Sequence, residues 1–132
     1  MTLVVDAAAM VAALVDGGRD GHWVQAHLQG PAAAPHHMPV EVASVLRRAV
    51  LAGDLDPSAA NAAHEELMAM PVALFEYRPL ADRVWALRDS VSPYDAWYVA
   101  LAEELDVPLV TLDRRLARAP GPRCAFELPP GE

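Results

Sequence analysis

The sequence has 132 residues, of which 54% are hydrophobic and 21% are charged. This length corresponds to one typical domain, and the hydrophobic content excludes disorder or a coiled coil as a description of the whole chain. The formal net charge is −8, because 18 acidic residues outnumber 10 arginines and there is no lysine. General electrostatic binders of nucleic acid are normally basic, so any contact with nucleic acid must be local or assisted by a metal.

Cysteine usage and the N-terminal residues indicate a cytoplasmic protein. The single Cys124 excludes an intramolecular disulfide and a site built from several thiolates. Residues 1–6 lack a basic segment and Asp6 interrupts their apolar run, so we expect no secretory signal. The longest stretch without Asp, Glu or Arg, residues 21–40, contains His, Gln and Pro, so we expect no membrane contact.

Short apolar runs alternate with helix-forming segments along the chain. In chain order the patterns predict a strand at 3–5, helices at 7–15 and 22–28, a strand at 33–36, helices at 39–52 and 57–70, a strand at 72–75, helices at 80–88 and 92–105, a strand at 108–111, a short helix after Asp113 and a strand at 124–128. Such alternation is typical of a parallel sheet covered on both faces. We therefore predict an α/β fold, a three-layer α/β/α sandwich with a mostly parallel central sheet, in one domain (1–132, core about 3–128).

Four carboxylates stand at the ends of predicted elements. Asp6 follows the first strand, Asp113 follows a late strand, and Glu41 and Asp95 each lie in the first turn of a helix. Each has a structural alternative: Asp6 and Asp113 are plausible N-caps, Glu41 favours the helix dipole, and Asp95 completes a capping box with Ser92.

The joint placement of these acids points beyond capping. In an open parallel sheet, the carboxyl ends of the strands and the following helix N-termini share one edge, where ligands bind. Carboxylates clustered there repel one another unless a cation lies among them, and oxygen ligands select a hard ion such as Mg²⁺ or Mn²⁺. The chemistry that this favours is phosphoryl transfer or phosphodiester hydrolysis.

Four segments together resemble the signature blocks of the PIN-domain ribonucleases, most closely the VapC-type toxins of bacterial toxin–antitoxin pairs. They are residues 4–7 (VVDA), 39–48 (PVEVASVLRR), 94–103 (YDAWYVALAE) and 109–116 (LVTLDRRL). The resemblance spans residues 3–119 and implies a PIN-like fold and a Mg²⁺- or Mn²⁺-dependent endoribonuclease. It also implies an RNA substrate, a cognate VapB-like antitoxin and a homodimer. Its catalytic and metal-binding residues correspond here to Asp6, Glu41, Asp95 and Asp113.

Two positions depart from the pattern of the family. Ala8 stands where the family often has a hydroxyl residue, and Ser44 stands where it often has Asn. Thr111, two residues before Asp113, is a candidate source of the missing hydroxyl. We predict substrate contacts for Thr111, Ser44 and two arginines that follow Asp113 directly, Arg114 and Arg115, although a solvated helix face explains the arginines equally well.

Other features have structural interpretations. Adjacent residues of an extended segment point in opposite directions, so we interpret His36 and His37 as structural or loop residues rather than a metal pair. Trp97 and Tyr98 have apolar neighbours at helical spacing, which favours core or dimer contacts over base stacking. The hairpin of the helices at 39–52 and 57–70 either packs wholly on the sheet or offers a groove to a partner helix.

Three other functions fit the sequence less well than a ribonuclease does. A catalytically degenerate PIN-like binding module is the main alternative, and the intact acidic set disfavours it. A phosphatase of the haloacid dehalogenase type needs an acid at the position of Ala8. A dinucleotide-binding fold needs a glycine-rich turn after the first strand, where the chain has Asp6 and Ala7.

Overall fold

The computed structural model describes residues 2–131, so Met1 and Glu132, the ends of the predicted domain, lie outside the described residues. In chain order the elements are β1 (Leu3–Val5), α1 (Ala7–Val15), α2 (Arg19–His27), β2 (Ala32–Pro35), α3 (Met38–Leu51), α4 (Pro57–Ala69), β3 (Val72–Phe75), a 3₁₀ turn (Arg78–Leu80), α5 (Ala81–Ala86), α6 (Pro93–Leu105), β4 (Leu109–Val110), α7 (Arg114–Arg118) and β5 (Phe126–Glu127). None of the helices in this part of the chain is long and apolar enough to cross a bilayer.

The five strands form one sheet in the order β3-β2-β1-β4-β5, and every neighbouring pair is parallel. The predicted α/β class and parallel sheet are therefore confirmed. The central strands consist of apolar residues because both of their faces are covered. Val4, Val5, Leu109 and Val110 have no exposed surface.

Strand order determines which face each helix covers. The chain moves in one direction across the sheet from β1 to β3 and in the other direction from β3 to β5. Since parallel crossovers are right-handed, α1 to α4 lie on one face and α5 to α7 on the other. Helix α6 packs on β1, β2 and β4, and half of its buried residues are alanines: Ala96, Ala100 and Ala102.

Element boundaries differ from the predictions by up to three residues. Helix α2 begins at Arg19 rather than at residue 22, so Gly21 lies inside the helix instead of before it. A Cβ at Gly21 would lie 1.8 Å from the carbonyl oxygen of Asp16, so α2 packs against the end of α1 only because this residue has no side chain. The helix predicted at 80–88 is the shorter α5, and a 3₁₀ turn that contains Pro79 precedes it and ends at Leu80.

The order in which strands are added to the sheet reverses between β1 and β4, which are parallel neighbours at its centre. The backbone N–H of Asp6 still donates to the carbonyl of Val110, at 3.2 Å, so the two strand ends stay together up to the edge. Such a switch point opens a crevice at the carboxyl ends of the strands, where ligands of α/β sheets bind. Asp6 and Asp113 follow the two strands that form it.

Candidate active site

A cavity of about 250 Å³ opens at this switch point. The four acids singled out in the sequence all line it, together with residues of α1, α3 and α6. Its lining consists of Asp6, Ala7, Ala8, Glu41, Ser44, Val45, Arg48, Asp95, Tyr98 and Asp113. The sheet topology thus brings together side chains that are up to 107 positions apart in the sequence (113 − 6).

Asp6 is the most deeply placed of the four, with 8% of its surface exposed. As the N-cap of α1 it accepts a hydrogen bond from the N–H of Ala9 at 2.9 Å through Oδ1. Its Oδ2 accepts a 2.5 Å hydrogen bond from the hydroxyl of Thr111. Burial raises the pKa of Asp6 to about 6, and the charges of Asp95 and Asp113 add to the rise although the two hydrogen bonds oppose it.

Thr111 connects two of the acids and is itself fully buried. Besides donating to Asp6, its hydroxyl oxygen accepts from the N–H of Asp113 at 3.0 Å. Thr111 therefore supplies the hydroxyl near Asp6 that Ala8 cannot provide, as predicted. The predicted contact of Thr111 with substrate is wrong, because no part of this side chain reaches the cavity surface.

Glu41, in the first turn of α3, is held through one carboxylate oxygen. The hydroxyl of Tyr98 donates to Oε1 at 2.6 Å, and Nε2 of His37 lies 2.8 Å from the same oxygen. Burial alone would raise the pKa of Glu41, but the contacts from His37 and Tyr98 outweigh it and hold the pKa below its usual range. The buried position of Tyr98 agrees with the predicted core role, and its contact with Glu41 was not predicted.

His37 is a neighbour of the site that the sequence analysis did not identify. Its ring stacks on Trp97 with centroids 4.5 Å apart and planes 6° apart, which places it beside Glu41. Nδ1 is buried without a hydrogen-bond partner among residues 2–131, and the approach of Nε2 to Glu41 lacks the alignment of a hydrogen bond. His37 precedes Glu41 by four residues at the start of α3, and this spacing could have predicted that the two side chains are neighbours.

Asp95 and Asp113 combine capping geometry with exposure to the cavity. The N–H of Asp95 donates to Oγ of Ser92 at 3.3 Å, as the capping motif predicted. Burial raises the pKa of Asp95, and the nearby charges of Asp113 and Glu41 raise it further. Asp113 caps α7 by accepting from two backbone N–H groups through Oδ1, at 2.9 and 3.1 Å.

The residues of the cavity fit a hard divalent cation by their chemistry, because four carboxylates and no thiolate surround it. Burial raises the pKa values of Asp6 and Asp95 most, and the neighbouring carboxylates raise them further. The arrangement is nevertheless open. Within residues 2–131, no three His, Cys, Asp or Glu side chains converge closely enough to form a ready-made metal site.

The polar residues predicted to contact substrate differ in their placement. Ser44 is exposed and lines the cavity, as does Arg48, one turn further along α3. Arg115 lines an adjoining cavity of about 320 Å³. Arg114 instead donates a 2.5 Å hydrogen bond to the carbonyl of Pro129, so its guanidinium is held by the C-terminal tail.

A separate apolar groove of about 280 Å³ lies between α3 and α4. It is lined by Ala43, Leu46, Arg47, Val50, Leu51, Pro57, Ala60, Asn61 and His64. Leu51 is 69% exposed, and Val40, on the same helix, is 71% exposed. The hairpin therefore does not pack wholly on the sheet, and the alternative of an open groove is the one that the structure shows.

Comparison with known proteins gives the family. The PIN domain model matches residues 3–122. The chain is 43% identical to Ribonuclease VapC1 of Mycobacterium tuberculosis over 127 residues, which cover 95% of this chain and 96% of that protein. The crystal structure of PAE2754 from Pyrobaculum aerophilum superimposes with a TM-score of 0.71 at 25% identity, covering 96% of this chain and 83% of that one.

A further neighbour agrees in fold. A toxin–antitoxin complex from Klebsiella pneumoniae superimposes with a TM-score of 0.64 at 20% identity, covering 97% of this chain and 98% of that one. The predicted family is confirmed by the PIN domain model and by the identity to a named ribonuclease. The chain belongs to the PIN-domain family and, within it, to the VapC ribonucleases.

Proposed function

We propose that this protein is a metal-dependent endoribonuclease toxin that hydrolyses RNA phosphodiester bonds in the cytoplasm and is neutralised by a VapB-like antitoxin. The observation that carries the proposal is the single cavity shared by Asp6, Glu41, Asp95 and Asp113. The 43% identity to a ribonuclease over nearly the whole chain supports the reaction class. Burial of Asp6 at the floor of a ligand crevice supports a role beyond helix capping.

The four carboxylates would hold Mg²⁺ or Mn²⁺, which activates water as a nucleophile and neutralises charge on the phosphate when bound. The chain itself supplies orientation. Asp6 is fixed through both oxygens, by Ala9 and Thr111, and Glu41 is fixed through one oxygen by Tyr98. Preorganised groups of this kind need little rearrangement when charge develops in the transition state.

The antitoxin proposal is supported by the apolar groove between α3 and α4. An amphipathic helix binds such a groove through its apolar face. A solved neighbour of this fold is a toxin–antitoxin complex. The net charge of −8 favours a basic antitoxin. We also expect the protein itself to form a homodimer, and sedimentation analysis would detect it.

The test is cleavage of total cellular RNA by the purified protein with Mg²⁺ or Mn²⁺, with and without EDTA. The matched variants are Asp6→Asn and Asp56→Asn, since Asp56 also caps a helix but lies outside the cavity. We expect discrete fragments with 5′-phosphate ends from the wild type and Asp56→Asn only. Cyclic phosphate ends would show attack by the ribose 2′-hydroxyl and would contradict this mechanism.

The open arrangement of the carboxylates favours a second candidate, a degenerate PIN-like module that binds RNA or protein without cutting. Calorimetry with Mn²⁺ separates the two functions. Binding that Asp6→Asn abolishes supports the nuclease. Absence of both Mn²⁺ binding and RNA cleavage in the wild type would favour the binding module.

A further inference from the structure

Two cavities meet at the carboxyl edge of the sheet. The first, about 250 Å³, contains the four acids, and the second, about 320 Å³, lies between the loop before α6 and the start of α7. Asp95 and Asp113 line both of them. The two cavities therefore form one surface path that crosses this pair of carboxylates.

An arginine lines each arm of this path. Arg48 of α3 lines the first cavity and Arg115 of α7 lines the second. Of these two cavities Arg48 lines only the first and Arg115 only the second, whereas the two acids line both, so the arginines belong to different arms that meet at the shared acids.

Both guanidiniums are available for a ligand. Within residues 2–131, neither Arg48 nor Arg115 makes a side-chain hydrogen bond or ion pair, and both residues are exposed. Other arginines of this chain are engaged: Arg83 binds Glu103 through two nitrogens, and Arg114 binds the carbonyl of Pro129.

We propose that a single RNA strand lies across both cavities, with the cleaved phosphodiester over Asp95 and Asp113 and its two neighbouring phosphates bound by Arg48 and Arg115. The inference rests on the proposed function and specifies how that site holds its substrate. Arginine binds phosphate oxygens in a bidentate manner, and this contact is independent of base sequence. In a chain of net charge −8, local arginines are the means by which a polyanion is held.

The size of the path favours a single strand. Each arm is near the lower end of the volume range of small-molecule clefts, about 300 Å³, and so accommodates one nucleotide-sized group rather than a double helix. A strand that enters by one arm and leaves by the other brings one phosphodiester past the shared acids.

The chain offers controls of equal charge for a binding test. Arg47 is adjacent to Arg48 but lines the groove between α3 and α4, and Arg118 belongs to α7 but lines neither arm. Each of the four arginines is replaced with alanine in an Asp6→Asn background, which under the proposed function leaves the RNA intact. Binding of a labelled single-stranded RNA of mixed sequence is measured by fluorescence anisotropy over a range of salt concentrations.

We expect Arg48→Ala and Arg115→Ala each to weaken binding about three- to tenfold at low salt. Each should also reduce the slope of log affinity against log salt by about 0.7, the value for one phosphate contact on a single strand. Arg47→Ala and Arg118→Ala remove the same charge and should change the slope little. Equal salt slopes in all four variants would overturn the proposal and would favour an acidic protein segment as the ligand of these arginines. A loss of RNA affinity in only one of Arg48→Ala and Arg115→Ala would overturn it as well.

A second experiment tests the direction of the strand. Once the cut site in an RNA is mapped, uncharged methylphosphonates replace the phosphate on its 5′ side or on its 3′ side. We expect one replacement to leave the RNA affinity of Arg48→Ala unchanged and the other to leave that of Arg115→Ala unchanged. If the same replacement leaves the affinity of both variants unchanged, the crossing path is refuted. If the wild type cuts no RNA while both arginine variants lower the salt slope, the proposed hydrolysis fails and the strand path stands.

Discussion

The hydroxyl of Tyr98 donates a 2.6 Å hydrogen bond to Oε1 of Glu41 and so joins α6 to α3 at the edge of the acidic cavity. Tyr98 is buried, with 1% of its surface exposed, so its phenol cannot exchange this partner for bulk water. The bond fixes one oxygen of Glu41 and opposes protonation of that carboxylate. A core residue of α6 thereby acts together with His37 to keep an acid of another helix ionised.

Tyr98→Phe tests this relationship because it keeps the ring and removes only the hydroxyl. We expect a loss of about 1.5 to 3 kcal/mol in the free energy of unfolding, the range for hydrogen bonds to charged groups. We also expect Mn²⁺ affinity to fall about tenfold, because groups that orient a metal ligand have effects of this size. Thermal unfolding and calorimetry measure the two effects. Tyr94→Phe, on the exposed side of the same helix, is the control, and equal Mn²⁺ affinities in the two variants would count against positioning of Glu41.

Asp6 should make the stability of the metal-free protein depend on pH. Its folded-state pKa is about 6 against an ordinary value of 3.8, so the stability that this group contributes is present below about pH 4 and is lost as the pH rises through 6. The loss amounts to about 3 kcal/mol. Asp6→Asn does not titrate, so its stability relative to the wild type should rise by about this amount between pH 4 and pH 7.5.

Denaturant unfolding in EDTA at several pH values measures this difference. Asp56→Asn controls for the change of a capping residue. A constant difference between the wild type and Asp6→Asn across the pH range would show that Asp6 is already solvated or paired in solution. A part of the stability difference that does not vary with pH reports the change that the substitution makes in the hydrogen bonds with Ala9 and Thr111.

Thr111→Val should raise the pKa of Asp6 further, because it removes a hydrogen bond that favours the charged carboxylate. It should also cost about 1 to 3 kcal/mol, since the N–H of Asp113 loses its acceptor. In unfolding measurements, the pH-dependent loss of stability should extend to higher pH than in the wild type. Thr111→Ser retains the hydroxyl and should leave the pH profile near that of the wild type. A shift of similar size in both variants would show that the hydroxyl of Thr111 does not set the pKa of Asp6.

Much of the site was predictable because each acid lies at a boundary that local chemistry determines. Asp6 ends an apolar strand, and Asp95 follows Ser92-Pro93 at a helix start. Parallel topology then requires that such boundaries share one edge of the sheet. The positions of the acids therefore follow from local patterns together with one topological rule.

Other contacts were not predictable because they depend on side-chain direction between distant elements. The contact of Tyr98 with Glu41 spans 57 residues, and that of Thr111 with Asp6 spans 105. Arg114 and Arg115 are adjacent, yet one binds the C-terminal tail and the other lines a cavity, since successive helix residues point about 100° apart. Sequence spacing alone does not determine which of two neighbours faces the site.

An ion pair remote from the cavity gives the final prediction, which separates stability from function. Arg83 binds Glu103 at 2.7 and 3.1 Å and also donates to the carbonyl of Gly121, which ties the loop before β5 to α5 and α6. Burial would raise the pKa of Glu103, but Arg83 and the N–H of Arg123 outweigh it and lower the pKa. The stability from this group is therefore present above the ordinary value and is lost as the pH falls through the lowered pKa.

Arg83→Ala should lower the free energy of unfolding by about 1 to 3 kcal/mol at pH 7, and this difference should shrink as the pH falls through the lowered pKa of Glu103. Mn²⁺ affinity at 20 °C, measured by calorimetry on the folded protein, should equal that of the wild type because neither partner lines the acidic cavity. Arg88→Ala is the control, since Arg88 lies over the exposed Trp85 and donates to its carbonyl. A loss of Mn²⁺ affinity in Arg83→Ala but not in Arg88→Ala would reveal coupling between the loop before β5 and the four acids.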